Sequence, residues 1–171
     1  LIPPRPAADH APLSFAQQRL WFLDQLEPGG TTYLIPDVFR LRGALDVGAL
    51  ERSLQALVDR HESLRTTFTV VDGRPVQVIS PSLRLAIAKM DLSAHPEQER
   101  EARLLALARE EAERPFDLAH GPLVRVTLLQ LAEQEHALFL TMHHIVTDGW
   151  SMGIFVRELT SLYTAFVQGA E

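Results

Sequence analysis

The stretch Thr141-Met142-His143-His144-Ile145-Val146-Thr147-Asp148-Gly149-Trp150-Ser151 sets two adjacent histidines at the end of an apolar run, with an acid and a glycine after them. Upstream, Ala137-Leu138-Phe139-Leu140 reads as a buried strand. Downstream, Met152, Phe155, Leu159, Leu162 and Phe166 recur at spacings of three and four, one face of a helix. A strand therefore ends in titratable residues, turns and starts a helix, and in α/β proteins such junctions commonly carry ligands and chemistry. Successive strand side chains face opposite ways, so His143 and His144 divide: one faces a cavity, the other the core. The alternation does not say which. Asp148, at the start of the helix, can cap it, pair with an arginine or orient a histidine.

Working outward, residues 1–12 hold four of the eleven prolines without periodicity and read as an inter-domain linker, as if cut from something larger. Ser14-Phe15-Ala16-Gln17 has the form of a capping box, opening a short helix with Ala16, Leu20 and Leu23 inward and Trp21 and Phe22 widening the stripe. Trp21 belongs to the core in this reading. Pro28-Gly29-Gly30 stops the helix. A strand over Val38–Leu41 precedes a second helix, capped by Asp46, with Val47, Leu50, Leu54 and Leu57 buried. It ends in the polar cluster Arg60-His61-Glu62-Ser63-Leu64-Arg65, where cations suit a helix C-terminus. Thr66–Val71, Asp72-Gly73 and Val76–Ile79 spell a hairpin. Leu83–Met90 reads as a further strand, and Ser93 as the cap of a long helix to about Glu113, with Pro96 in its first turn. Strands follow over Leu123–Leu131 and His136–Met142, and the last helix runs from about Trp150 to Gln168, with Gly169 at its end. The pattern is α/β (α+β): one mixed sheet packed by helices, occupying residues 13–171.

Composition narrows the function. The 171 residues suffice for one domain with a core, and 46% apolar and 22% charged residues are ordinary. A net charge of −6 argues against nucleic acid as the main partner. With no cysteine, thiol catalysis and Cys-ligated metals are excluded. Adjacent, diverging histidines without a helical HExxH pairing speak against a metal. Ser151 lacks the Gly-x-Ser-x-Gly elbow of a serine hydrolase. No apolar run is long enough to span a membrane, and the start of the chain has no signal-peptide core, so a cytoplasmic soluble protein is expected.

Four segments together resemble the first half of a nonribosomal peptide synthetase condensation domain. His143–Gly149 matches the family's HHxxxDG signature. Residues 14–23 resemble its first motif, residues 60–68 its second, and Arg114-Pro115-Phe116-Asp117-Leu118 with Gly121-Pro122-Leu123 is also family-like. The resemblance implies the N-terminal member of two chloramphenicol-acetyltransferase-like lobes arranged as a V. It also implies an acyltransferase that forms amide bonds within a larger, antibiotic- or siderophore-making synthetase. Neither reactant is a bound cofactor: both arrive as thioesters on phosphopantetheine arms. The implied partners are upstream donor and downstream acceptor carrier domains, an adenylation domain and the C-terminal lobe. That lobe's motifs have no counterpart here, so the fragment alone is expected to be inactive.

The same resemblance makes His144 catalytic. His143, Asp148, Gly149, Arg60 and Arg65 are supporting residues, with Asp148 expected to pair with Arg60 or, as the alternative, Arg65. The Gly149 N–H, near a helix N-terminus, is a candidate for the thioester oxyanion. The motif wording looks most like the subtype joining an L-configured donor to an L-configured acceptor. A heterocyclization domain would carry aspartates in place of the signature histidines. A carrier-docking or purely structural lobe, or an epimerization-type relative, is the other function class in play.

Overall fold

The computed structural model describes residues 10–170. Strand β1 (Ala11–Pro12) comes first and pairs antiparallel with the second arm of the hairpin, so the end of the expected linker is part of a sheet. Residues 1–9 of that linker lie outside the described residues. Helix α1 (Phe15–Leu26) opens on the expected capping box: Gln17 N–H donates to Ser14 Oγ, and Ser14 N–H donates to Gln17 Oε1. Leu20 and Trp21 lean on the core, but Phe22 points to solvent and does not widen the buried stripe.

Strand β2 (Leu34–Arg42) is longer than its apolar stretch suggests. It is an edge strand, and Pro36 is tolerated there because an edge strand need not offer every N–H to the ladder. Helix α2 (Val47–Arg60) starts at Asp46, whose carboxylate accepts from Ala49 N–H at 2.8 Å. A 3₁₀ turn (Glu62–Arg65) leads into β3 (Thr66–Val71) and β4 (Arg74–Ile79). Their hairpin turns on Asp72 and Gly73, both at positive φ (51° and 74°), as a two-residue turn between twisted strands requires.

Strand β5 (Ile87–Asp91) forms only the latter part of the stretch expected. Helix α3 (Glu97–Glu113) begins after Pro96, and Ser93 is not its cap. Instead Ser93 N–H donates to Asp91 Oδ1 at 2.8 Å and His95 N–H to Leu92 O, a local turn that uses the serine before the helix starts. Strands β6 (Val124–Ala132) and β7 (Glu135–His143) form the central hairpin, and α4 (Gly149–Val167) closes the fold, with Gly169 at φ 87° beyond its end.

The larger sheet runs β2-β7-β6-β5, antiparallel except for the parallel β5·β6 pair, and the smaller runs β1-β4-β3. The β3–β4 hairpin thus stands in a sheet of its own beside the mixed one. Alternation along β7 feeds two cores. Leu138, Leu140 and Met142 pack with Leu50, Leu54 and Leu57 of α2 and with Phe155 of α4; Ala137 and Phe139 pack with Leu104 of α3. A third cluster joins the sheets through Leu13, Phe68, Phe116, Leu123 and Ile145. Ile145 thus seats the loop after β7 on the same apolar floor that anchors the hairpin.

Candidate active site

β7 ends at His143, and the structure divides the two histidines as strand alternation requires. His143 is buried, 3% exposed; His144 is exposed. The Phe116 and His143 rings meet in a T-shaped contact, at 82° and 6.4 Å between centroids, and the Arg125 guanidinium covers Phe116 at 3.9 Å. The Arg114–Leu118 segment therefore walls in the first histidine. His143 Nδ1 accepts from Ile145 N–H at 3.1 Å, which assigns its proton to Nε2. Burial, reinforced by the neighbouring His144, lowers the His143 pKa to about 4, so the ring is neutral near pH 7.

His144 stands just past the strand, its N–H donating to Tyr33 O at 2.8 Å. On either side, His143 N–H donates to Leu123 O and Val146 N–H to His143 O. The imidazole is presented to solvent from a backbone whose donors are engaged on both sides.

Asp148 caps α4. Its Oδ1 accepts from Ser151 N–H at 2.8 Å and from Ser151 Oγ–H at 2.7 Å. Its carboxyl is held below the usual range, chiefly by the Ser151 hydroxyl. The expected pairing with Arg60 or Arg65 is not formed. Arg60 Nη1 lies 3.7 Å from Glu158 Oε2, and Glu158 also meets His61 Nε2 at 2.7 Å. Glu158 is ten residues along α4 from Asp148, about 15 Å of helix rise at 1.5 Å per residue, so Arg60 is committed at a distance. Arg65 donates to Ser80 O and lies 3.7 Å from Glu62. The acid satisfies itself on its own helix, where two short hydrogen bonds and the positive helix end stabilise it together.

Gly149 is the first residue of α4, where an N–H has no intrahelical acceptor, and an added Cβ would meet nothing within 4 Å. Trp150 beside it is 83% exposed. Behind the turn is a cavity of about 130 Å³ lined by His61, Ser63, Thr147 and Ser151 among others; His144 is not in its wall. Among the described residues, no group of three or more His, Asp or Glu side chains could hold a metal ion. No described helix is long and apolar enough to cross a membrane.

Two features escape a reading of the sequence. Glu158 is one carboxylate within an otherwise periodic helix, and only the packing of α2 on α4 reveals its partners. Gln17 reads as a cap, yet its Nε2 also reaches Gln77 and the carbonyl of Ile145.

This arrangement can be set against known proteins. The family model for the condensation domain matches residues 7–171. The chain belongs to the condensation-domain family. Its relatives include one of the polypeptides of linear gramicidin synthase from Brevibacillus parabrevis, 54% identical over 98% of this chain and 2% of the relative. A second polypeptide of the same synthase is 57% identical over 93% of this chain and 3% of its own length. Among solved structures, the starter condensation domain of rhizomide synthetase superposes with a TM-score of 0.88 at 26% identity, over 96% of this chain and 41% of that one. A mutant of that domain has been solved in complex with C8-CoA and Leu-SNAC. This condensation-domain chain thus spans a few per cent of the synthase polypeptides and about two-fifths of the solved domain. The mixed sheet with helices on its faces is the fold expected from the resemblance.

Proposed function

We propose that this chain is the histidine-bearing N-terminal lobe of a condensation domain that joins a carrier-bound donor acyl group to a carrier-bound aminoacyl acceptor. The observation that carries the reading is the opposite placement of the two histidines, one buried and neutral, the other exposed on a pinned backbone.

The chemistry asks little of the base. An α-amino group has a pKa of about 8, so a usable neutral fraction exists near pH 7. Its nitrogen attacks the donor thioester carbon, forming the C–N bond. A His144 ring nitrogen accepts the proton as the tetrahedral adduct forms and returns it to the sulfur as the C–S bond breaks, giving an amide and a free thiol. The Gly149 N–H, in the first turn of α4, is a donor for the adduct's oxygen. Asp148 and His143 hold the backbone and exchange no proton with substrate. Phosphopantetheine arms bring both reactants, so the partners are donor and acceptor carrier domains, an adenylation domain that loads them, and the second lobe, within a cytoplasmic synthetase. The motif wording supports an L-donor and an L-acceptor.

The test uses the complete condensation domain with loaded donor and acceptor carrier proteins. His144→Ala is expected to lower amide formation about 10²–10⁴-fold, the span of general-base action, with the fold intact because the side chain is exposed. Amide formation near the wild-type rate would overturn the assignment. Turnover by this lobe without the second one would overturn the proposal that the reaction needs both.

A further inference from the structure

We propose that Gln17 is a positioning residue for acyl transfer, its side-chain amide locking the turn that presents His144. The inference rests on His144 being the catalytic group.

The backbone donors around His144 are met by the residue before β6, by Tyr33 and by the turn itself: Leu123 O takes His143 N–H, Tyr33 O takes His144 N–H, and His143 supplies acceptors for Ile145 and Val146 N–H. The Ile145 carbonyl belongs to a buried residue. It receives Gln17 Nε2 at 3.4 Å, across 128 residues of chain. The same Nε2 donates to Gln77 Oε1 at 3.0 Å, and Gln77 Nε2 donates to Pro12 O at 2.9 Å. Gln17 Oε1 accepts from Ser14 N–H at 2.9 Å. These bonds fix the orientation of the amide. Rotating it by half a turn would set its oxygen against two acceptors and its NH₂ against a donor.

The helix explains only half of this. A capping box needs an acceptor at the third helical position, and glutamate serves there as well as glutamine, with a favourable charge. The donor half of Gln17 is not required by α1. It is spent on β4 and on the residue next to His144. A 1 Å misplacement of a catalytic group can cost about 10²-fold, so a donor that fixes this turn bears directly on rate.

Gln17→Glu separates the two halves: it keeps the acceptor for Ser14 N–H and replaces the donor with an oxygen facing the Ile145 carbonyl and Gln77 Oε1. In the complete condensation domain with loaded carrier proteins, the variant is expected to lower kcat about 10–100-fold with KM for both carriers unchanged. Amide hydrogen exchange at His144–Val146 should quicken more than exchange in the rest of the fold. In the His144→Ala background the same change should cost little, because its effect passes through that ring. Gln77→Ala, which removes the anchor of the Gln17 amide, should move kcat the same way by less, and stands in if Gln17→Glu does not fold. Wild-type kcat in both variants, a loss confined to KM, or an equal loss with and without His144 would each overturn the proposal. A His144→Ala variant near wild-type rate would instead bring down the catalytic reading and this inference with it.

Discussion

Acid should weaken this fold at His143, the buried member of the histidine pair. His143 is 3% exposed, and its Nδ1 is already an acceptor for Ile145 N–H. Protonation would both charge a buried ring and break that bond. The folded pKa of about 4 lies below the unfolded value of about 6.5. Between those values the unfolded chain binds a proton that the folded chain refuses, so lowering the pH favours unfolding. The contribution is fully present above about pH 6.5, declines by about 1.4 kcal/mol per pH unit below it, and levels off near pH 4 after a loss of about 3 kcal/mol. His143→Asn gives the control. Its amide oxygen can still accept from Ile145 N–H, and it does not titrate. Urea unfolding of the complete domain at pH 7.5 and 5.5 should show the wild type losing on the order of 1 kcal/mol more than the variant. Comparing slopes cancels the packing lost to the smaller side chain. A ¹³C-histidine NMR titration should show one imidazole unmoved above pH 5.5. A His143 resonance titrating near 6.5, or equal losses in the two proteins, would refute the reasoning.

Three further outcomes test local geometry by urea unfolding. Asp148→Ala should cost about 1 kcal/mol through loss of the cap on α4, and Asp148→Asn much less. Arg60→Ala, at an exposed ion pair with Glu158, should stay within about 0.5 kcal/mol, whereas an Asp148–Arg60 pair would couple the two positions. Gly121→Ala should destabilise by at least about 1–2 kcal/mol, because the residue sits at φ 56° and its Cβ would meet Thr67 Cγ2 at 2.9 Å.

Local signals in the sequence were dependable where their cause is local. The capping box at Ser14, the Asp72-Gly73 turn and the periodic faces of α2 and α4 need only near neighbours, and they form as read. The Asp91 carboxylate engages Ser93 ahead of the helix, so that serine is not the cap, and pairing with β7 extended β2 beyond its apolar stretch. At the site, alternation correctly required the histidines to part. Which one turned inward depended on Phe116 and Arg125, brought in from another segment. The partner of Asp148 was misassigned because charge alone does not rank a distant arginine against a serine three residues away. Two short bonds at a helix end, made without ordering a long side chain, win.

That choice has an electrostatic consequence for the proposed reaction. A helix N-terminus carries roughly half a positive charge, which would favour a developing oxyanion at Gly149. With Asp148 ionised on the same helix end, a full negative charge opposes that half charge. The net field of α4 at this point therefore does not help the adduct, and any stabilisation by Gly149 reduces to one directed hydrogen bond. In the reaction proposed here, rate would then come chiefly from position: the acceptor amine, the thioester carbon and His144 held in line. The chain is built for this, since the residues flanking His144 spend their polar groups on fixing its backbone rather than on meeting substrate.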